Sequence, residues 1–302
     1  MEQELHKIEQ QLSRLCHGHF RRISLYPGIQ LCYFTANTDS FTVHHPRYAH
    51  MMEINYCHSG RLGWKMESGH EIYLGPGDFS IHTLDLCADS IVQFPSGTYD
   101  GLTLYIDLQI LSETPPEPLS GTEHLAEIFR EKFWQNEDIA SFAGNAQTDT
   151  IFSAFYEQPE QLQMAFQKIK CIEILLYLCK MDPGRNERLT KYQSEQVEII
   201  RQVHEYLTLH IGERITIEEL SRRYLINPTT LKSVFKSVYG NSLAAHINEH
   251  RMEHAAKLLI QTDLSIAEIG QQVGYESQSK FTSAFKRCYQ MLPKEYRKKH
   301  RA

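Results

Sequence analysis

The sequence predicts an α+β chain in two parts: an N-terminal antiparallel β barrel followed by helices, then an all-α domain with two helix-turn-helix units joined by a long helix. Three observations carry this. Short alternating apolar runs, separated by Gly, Pro and Asp, fill residues 23–111. From Ile215 onward one pattern occurs twice, as ITIEELSRRYLINPTTLKSVFKSVYG and as LSIAEIGQQVGYESQSKFTSAFKRCYQMLPKEYR. The charge also divides: residues from 190 onward hold 17 Lys/Arg and 12 Asp/Glu, net +5, leaving 14 and 25, net −11, before them. Phosphates are therefore expected to meet the second half of these 302 residues, not the first.

In chain order, residues 1–20 open with an amphipathic helical pattern, Leu5, Ile8, Leu12 and Leu15 on one side. The strand-like runs follow as ISLYPGIQLCYF, SFTVHHP, MMEINYCHSG, GWKMESG, HEIYLGPGDFSIHT, DSIVQFPSG and YDGLTLYIDL, with a turn at Leu74-Gly75-Pro76-Gly77-Asp78 between two of them. A barrel of this size can enclose a pocket lined by apolar residues with a few polar ones to orient a ligand. The strand-borne candidates are His45, Arg47, Glu53, Asn55, Tyr56, Trp64 and His82, with Arg47 suited to an anion and Trp64 to an aromatic or apolar group.

The proline-rich stretch SETPPEPLSGT, 112–122, breaks the pattern, and HLAEIFREKFW then reads as a helix. IKCIEILLYLCKM is apolar almost all round and is expected to be buried against the barrel, another helix or a second subunit. DPGRNER, within 182–192, has the composition of a linker or hinge. A helix from Ser194 to His210 presents Val197, Ile200, Val203, Tyr206 and Leu207 on one face, with His204 and His210 expected on its wet side. The seven cysteines are scattered without ligand spacing, as reduced thiols of a cytoplasmic chain would be. No apolar run spans a bilayer and the start is not signal-like, so no membrane partner is expected.

Each C-terminal copy carries its own punctuation. In the first, Thr216 and Glu219 form a capping box, Asn227 is a cap, and Pro228 occupies the first helical position, where its missing N–H costs nothing. Leu231, Val234, Phe235 and Val238 face inward, leaving Thr229, Lys232, Ser233 and Lys236 outward. In the second, Ser265 and Glu268 form the box, Gly274 ends the first helix, and Ser277 caps the next. Phe281, Ala284 and Phe285 make its inward stripe, leaving Gln278, Ser279, Thr282 and Ser283 outward with Lys280, Lys286 and Arg287. Uncharged polar side chains can bond base edges and cations can meet phosphates, so both second helices read as recognition helices. Leu243–Gln261 is long enough to hold the two units about one DNA turn apart.

With these residues in view, Gln193–Arg301 closely resembles the AraC/XylS-type DNA-binding domain. The family's second-unit pattern is met by Ile266, Ala267, Gly274, Tyr275, Ser279, Phe281, Phe285, Lys286, Pro293, Tyr296 and Arg297. Departures are Gly270 where Ala is usual, Lys280 where an aromatic is common, and Gln290 where Gly often follows the helix. The EINYCHSG strand and the glycine-marked turn in turn resemble the cupin-like sensor domain found ahead of many such domains.

The resemblance implies residues 1–181 as a cupin-like effector-sensing and dimerisation domain, 182–192 as linker and 193–302 as DNA-binding domain. It implies a sequence-specific transcriptional regulator, an activator rather than a repressor, with double-stranded DNA, a small-molecule effector, a second copy of the chain and RNA polymerase as partners. No enzyme activity, cofactor or metal is expected. Metal-binding cupins use H-x-H followed by Glu, whereas His44 and His45 are adjacent and His50-Met51-Met52-Glu53 lacks the second His. Two alternatives stand beside this reading: a metal-dependent cupin-type enzyme fused to a DNA-binding domain, and a DNA-binding protein without an effector.

Overall fold

The computed structural model describes residues 17–122, 124–134, 139–157, 159 and 161–301. The amphipathic pattern of Leu5, Ile8, Leu12 and Leu15 lies outside the described residues. The chain divides into two compact units, Met1–Ser194 and Glu195–Ala302.

The first unit is built on two antiparallel sheets. One has the order β1-β2-β9-β4-β7-β10, from Phe20–Tyr26, Ile29–Ala36, Tyr99–Asp107, Met51–Gly60, Phe79–Thr83 and Ala140–Phe142. The other has the order β11-β6-β5-β8-β3, from Tyr192–Gln193, His70–Leu74, Leu62–Lys65, Asp89–Gln93 and Ser40–His44. Alternation along β4 assigns its side chains to two layers. Met51 and Cys57 join Trp64, Ile72, Phe94 and Tyr99 in the core between the sheets. Met52, Ile54 and Tyr56 join the opposite core, against helices. The turn before β7 is fixed by Asp78, whose carboxylate accepts from the Gly75 N–H at 2.7 Å and the Gly144 N–H at 3.2 Å. Gly77, at φ 88°, supplies the left-handed backbone there.

The helical layer comprises α1 (Leu108–Glu113), α2 (Leu125–Phe133), α3 (Ala146–Ser153) and α4 (Gln163–Lys180). As the sequence reading expects, IKCIEILLYLCKM is buried against the rest of this unit, but along one face only. Cys171, Ile174, Leu175 and Leu178 are buried, while Ile169 and Leu176 are exposed, because a helix lying on one layer covers only one stripe. The stretch read as a hinge is also bound to this unit. The Ala143 N–H donates to Glu187 O, the Leu189 N–H donates to Ser141 O, and Tyr192–Gln193 pairs with β6. Two sheet edges left open by the barrel satisfy their backbone groups with this segment.

The second unit contains α5 (Ser194–Leu209), α6 (Ile217–Arg223), α7 (Pro228–Tyr239), α8 (Leu243–Gln261), α9 (Ile266–Gln272), α10 (Gln278–Tyr289) and α11 (Pro293–His300). The capping boxes at Thr216/Glu219 and Ser265/Glu268 form in both directions. Asn227 accepts from the Thr229 N–H at 2.8 Å ahead of Pro228. Met252, Ala255 and Leu259 of α8 make one core with Ile269, Val273, Phe281 and Phe285 of the second copy. Gly274 stands at φ 83°, and a Cβ there would meet Arg251 and the Gly212 carbonyl at under 3.0 Å.

Candidate nucleic-acid interface and barrel pocket

Helices α7 and α10 are both 12-residue helices that open on a side-chain cap. Each turns an apolar stripe to its core, so its remaining positions must face out. Thr229, Lys232, Ser233 and Lys236 on α7 are exposed, as are Gln278, Ser279, Ser283, Lys286 and Arg287 on α10; Thr282 is half-buried. Lys280, read as a phosphate contact, makes an exposed ion pair with Glu276 at 2.8 Å.

Two arginines whose roles were not foreseen hold these units to their neighbours. Arg251 of α8 donates from Nε to Ile211 O at 2.9 Å and from a terminal nitrogen to Glu213 O at 2.8 Å, pinning the loop that leads to α6. Arg297 does the same for the second unit through Leu259 O and Leu264 O. Beside Arg251, a polar cleft lined by Arg214, Gln271, Tyr275 and Lys280 adjoins the start of α10. Charge alone could have nominated Arg214, but nothing in the local pattern separates it from other surface cations.

In the first unit, a cavity of about 70 Å³ lies between the sheets. His45, Glu53, Asn55 and Trp64 line it, as the sequence reading has them, together with Phe34, Phe41, Cys87, Tyr99 and Tyr105. His82 is buried behind them, its ring 5.9 Å from that of Trp64. Two candidates are corrected. Tyr56 points away, stacking on Phe152 at 4.3 Å, since it has the opposite strand parity to Glu53 and Asn55. Arg47 is on the surface, paired with Glu67 at 3.0 Å, in a segment between strands where alternation sets no direction.

The polar centre of the cavity wall is the pair of Glu53 and His82, Oε2 to Nε2 at 3.1 Å. Burial opposes ionisation of Glu53, yet His82, Asn55 and His45 outweigh it and hold the carboxyl below its ordinary range. Asn55 accepts from the Thr103 hydroxyl at 2.7 Å. The Cys87 thiol donates toward Glu53 at 3.7 Å, and burial pushes its pKa well up. Glu53, His82 and Cys87 bring three ligand atoms within 4.8 Å of one another, a grouping that spacing in the sequence does not reveal because Glu53 comes from β4, well before the other two.

A second such grouping lies in the C-terminal unit, where His204, expected on a wet surface, is half-buried against His246 and His250. Burial, then neighbouring His250, pushes His204 down to about 4 and His246 down to about 3. His210 stays at the surface, 2.8 Å from Glu213.

Known proteins share sequence similarity with part of this chain. A helix-turn-helix domain family matches residues 220–299. The xylose operon regulatory protein of Escherichia coli K12 is 33% identical over 144 residues, covering 45% of this chain and 37% of that protein. The HTH-type transcriptional regulator ExsA of Pseudomonas aeruginosa is 30% identical over 126 residues, covering 42% of this chain and 45% of that one. The chain thus spans less than half the length of these curated relatives. Among solved structures, the C-terminal domain of AraT, a response regulator from Geobacillus stearothermophilus, is 32% identical, with 34% of this chain and 87% of that one covered at a TM-score of 0.34.

Proposed function

We propose that this chain, whose residues 220–299 match a helix-turn-helix domain family, is a sequence-specific transcriptional regulator of the AraC type whose α7 and α10 read adjacent major-groove segments of double-stranded DNA. The observation that carries the reading is the outward presentation of Thr229, Lys232, Ser233, Lys236, Gln278, Ser279, Ser283, Lys286 and Arg287 from two capped helices. At 1.5 Å per residue, the 19 residues of α8 extend roughly 28 Å, a length of the same order as one turn of B-DNA. Selection of bound fragments from a random DNA pool tests this. Two short conserved segments about 10 base pairs apart are the expected result; recovery without any common sequence would overturn it.

The barrel cavity supports an effector-sensing role and suggests a class of effector. Its wall is mostly aromatic and apolar, with Glu53, Asn55, Ser90, Thr103 and His45 as its polar members, which suits a small apolar molecule bearing one hydrogen-bonding group. Effector binding would change how the DNA-binding unit is presented, activating transcription through contact with RNA polymerase. The small volume, about 70 Å³, favours a second reading in which the barrel serves only as scaffold, since typical ligand pockets are about 300–1,000 Å³. Trp64 lies in the cavity wall, so its fluorescence distinguishes the two: saturable quenching by a small apolar ligand, removed by Asn55→Leu, identifies a sensor.

A homodimer is proposed through α4. Ile169 and Leu176, seven residues apart on one helical face, are exposed, with Leu162 and Met164 near its start. Pairing that stripe would give four recognition helices and the added affinity of linked half-sites. Ile169→Glu with Leu176→Glu should convert a dimer to a monomer in sedimentation equilibrium.

A further inference from the structure

We propose that His204, His246 and His250 form a binding site for one divalent transition-metal ion, which ties α5 to α8 inside the DNA-binding unit. The site is separate from the barrel and independent of the DNA-reading proposal.

Its geometry is that of a three-imidazole site. Nε2 of His250 lies 3.0 Å from Nε2 of His246 and 3.4 Å from Nε2 of His204, and all three ligand atoms are within 4.8 Å of one another. Imidazole nitrogens about 2.05 Å from a tetrahedral Zn²⁺ are roughly 3.3 Å apart, and both separations from His250 are within a few tenths of an ångström of that spacing. His246 and His250 stand at i and i+4 on one face of α8, and His204 arrives from α5.

The cluster is poorly satisfied by hydrogen bonds alone. Nε2 of His250 faces two other Nε2 atoms, and it carries either one N–H or one in-plane lone pair, which serves only one of them at full strength. A cation at their centre accepts all three lone pairs at once. The surroundings fit such an ion. Nδ1 of His250 is 3.5 Å from the Glu253 carboxylate, the outer partner that fixes Nε2 as the ligand atom. Tyr239 stacks on His204 at 4.4 Å, and Phe235 packs against His246 at 5.4 Å, making an apolar wall on one side. The His250 side chain is 32% exposed, which leaves an entry path and room for a fourth, water ligand. An all-imidazole donor set suits Zn²⁺, Co²⁺, Ni²⁺ or Cu²⁺, and excludes Mg²⁺ and Ca²⁺, which take oxygen ligands.

The test uses the full chain stripped with a chelator and titrated with Co²⁺, then Zn²⁺ in competition. One equivalent of Co²⁺ should bind with the ligand-field spectrum of a nitrogen-liganded site and no thiolate charge-transfer band. Saturation with Zn²⁺ at about 100 times its Kd should raise the melting midpoint of the C-terminal unit by about 10 °C. His250→Gln should abolish the site, and His204→Gln should weaken it by about 100-fold or more, beyond the 10- to 100-fold typical of losing an outer partner. Glu53→Gln/Cys87→Ser, which dismantles the donor group in the barrel, should leave the titration unchanged. The spectrum of the unaltered chain decides the matter even where a His variant fails to fold. Less than one equivalent bound at high micromolar Co²⁺, a thiolate band, sensitivity to the barrel variant, or insensitivity to His204→Gln would each overturn the proposal.

Discussion

Arg297 donates from Nε to the carbonyl oxygen of Leu259 at 3.1 Å, joining the last helix of the chain to the C-terminal end of α8. A terminal nitrogen of the same guanidinium donates to Leu264 O at 2.5 Å. These carbonyls belong to the end of a helix and to the loop after it, where acceptors have no partner within the helix. One side chain thus fixes the angle at which α9 and α10 leave α8. Hydrogen bonds from a charged donor contribute about 1.5–3 kcal/mol. Arg297→Ala should therefore destabilise the C-terminal unit by about 2 kcal/mol, seen as a lower urea midpoint at constant slope. Arg297→Lys, able to reach only one carbonyl, should lose roughly half of that.

The turn after α10 predicts the opposite sign. Gln290 sits at φ 53°, the left-handed position that ends the helix. A residue with a Cβ is strained there by about 1 kcal/mol, which glycine avoids. Gln290→Gly should stabilise the C-terminal unit by about 0.5–1 kcal/mol in equilibrium denaturation, even after the greater entropy of glycine in the unfolded chain is counted. Pro293 then begins α11.

The two repeated copies in the C-terminal unit were legible because their helices carry their own start signals in sequence. Thr216, Asn227, Ser265 and Ser277 are caps, and the apolar spacing between them is helical. The barrel was legible as strands, and the side each residue faces followed wherever alternation held. Applying that parity separates Glu53 and Asn55 from Tyr56; grouping all three as ligand residues ignored it. Arg47 lay in a loop, where no period assigns a face. The His204, His246 and His250 cluster was out of reach for another reason. It joins His204 to His246 and His250, 42 and 46 residues further along the chain, and a half-buried His on an amphipathic helix looks the same from sequence as a wet one.

That cluster makes the metal-free chain sensitive to acid. Burial, followed by neighbouring His250, lowers His204 to about 4 and His246 to about 3, from the ordinary 6.5 of a histidine. The unfolded chain therefore takes up protons at these positions before the folded chain does. Stability is fully present above pH 6.5 and is lost as pH falls from there toward about 4. Melting of chelator-treated protein between pH 7.5 and 4.5 should show the C-terminal midpoint falling in that window. His204→Gln should flatten the fall, and bound Zn²⁺ should move its onset to lower pH, since the ion competes with protons for the same lone pairs.

The two faces of α10 predict two distinguishable kinds of DNA-binding defect. Gln278, exposed at the start of the helix, has an amide that can bond a base edge in two places, as glutamine does with adenine. Lys286 and Arg287, exposed two turns further on, carry charge without such pairing geometry and suit phosphates. Gln278→Ala should change preference at one base position, costing about 1–3 kcal/mol on the selected site and little on others. Lys286→Ala and Arg287→Ala should each weaken binding to every sequence alike and lower the slope of log K against log salt by about 1. Fluorescence anisotropy on the selected site and on single-base variants, from 50 to 300 mM salt, separates the two classes. A change of base preference from the cations, or of salt slope from Gln278, would show that α10 enters the groove by a different face. In that case Thr282, half-buried beside the inward stripe, would be the next residue to vary.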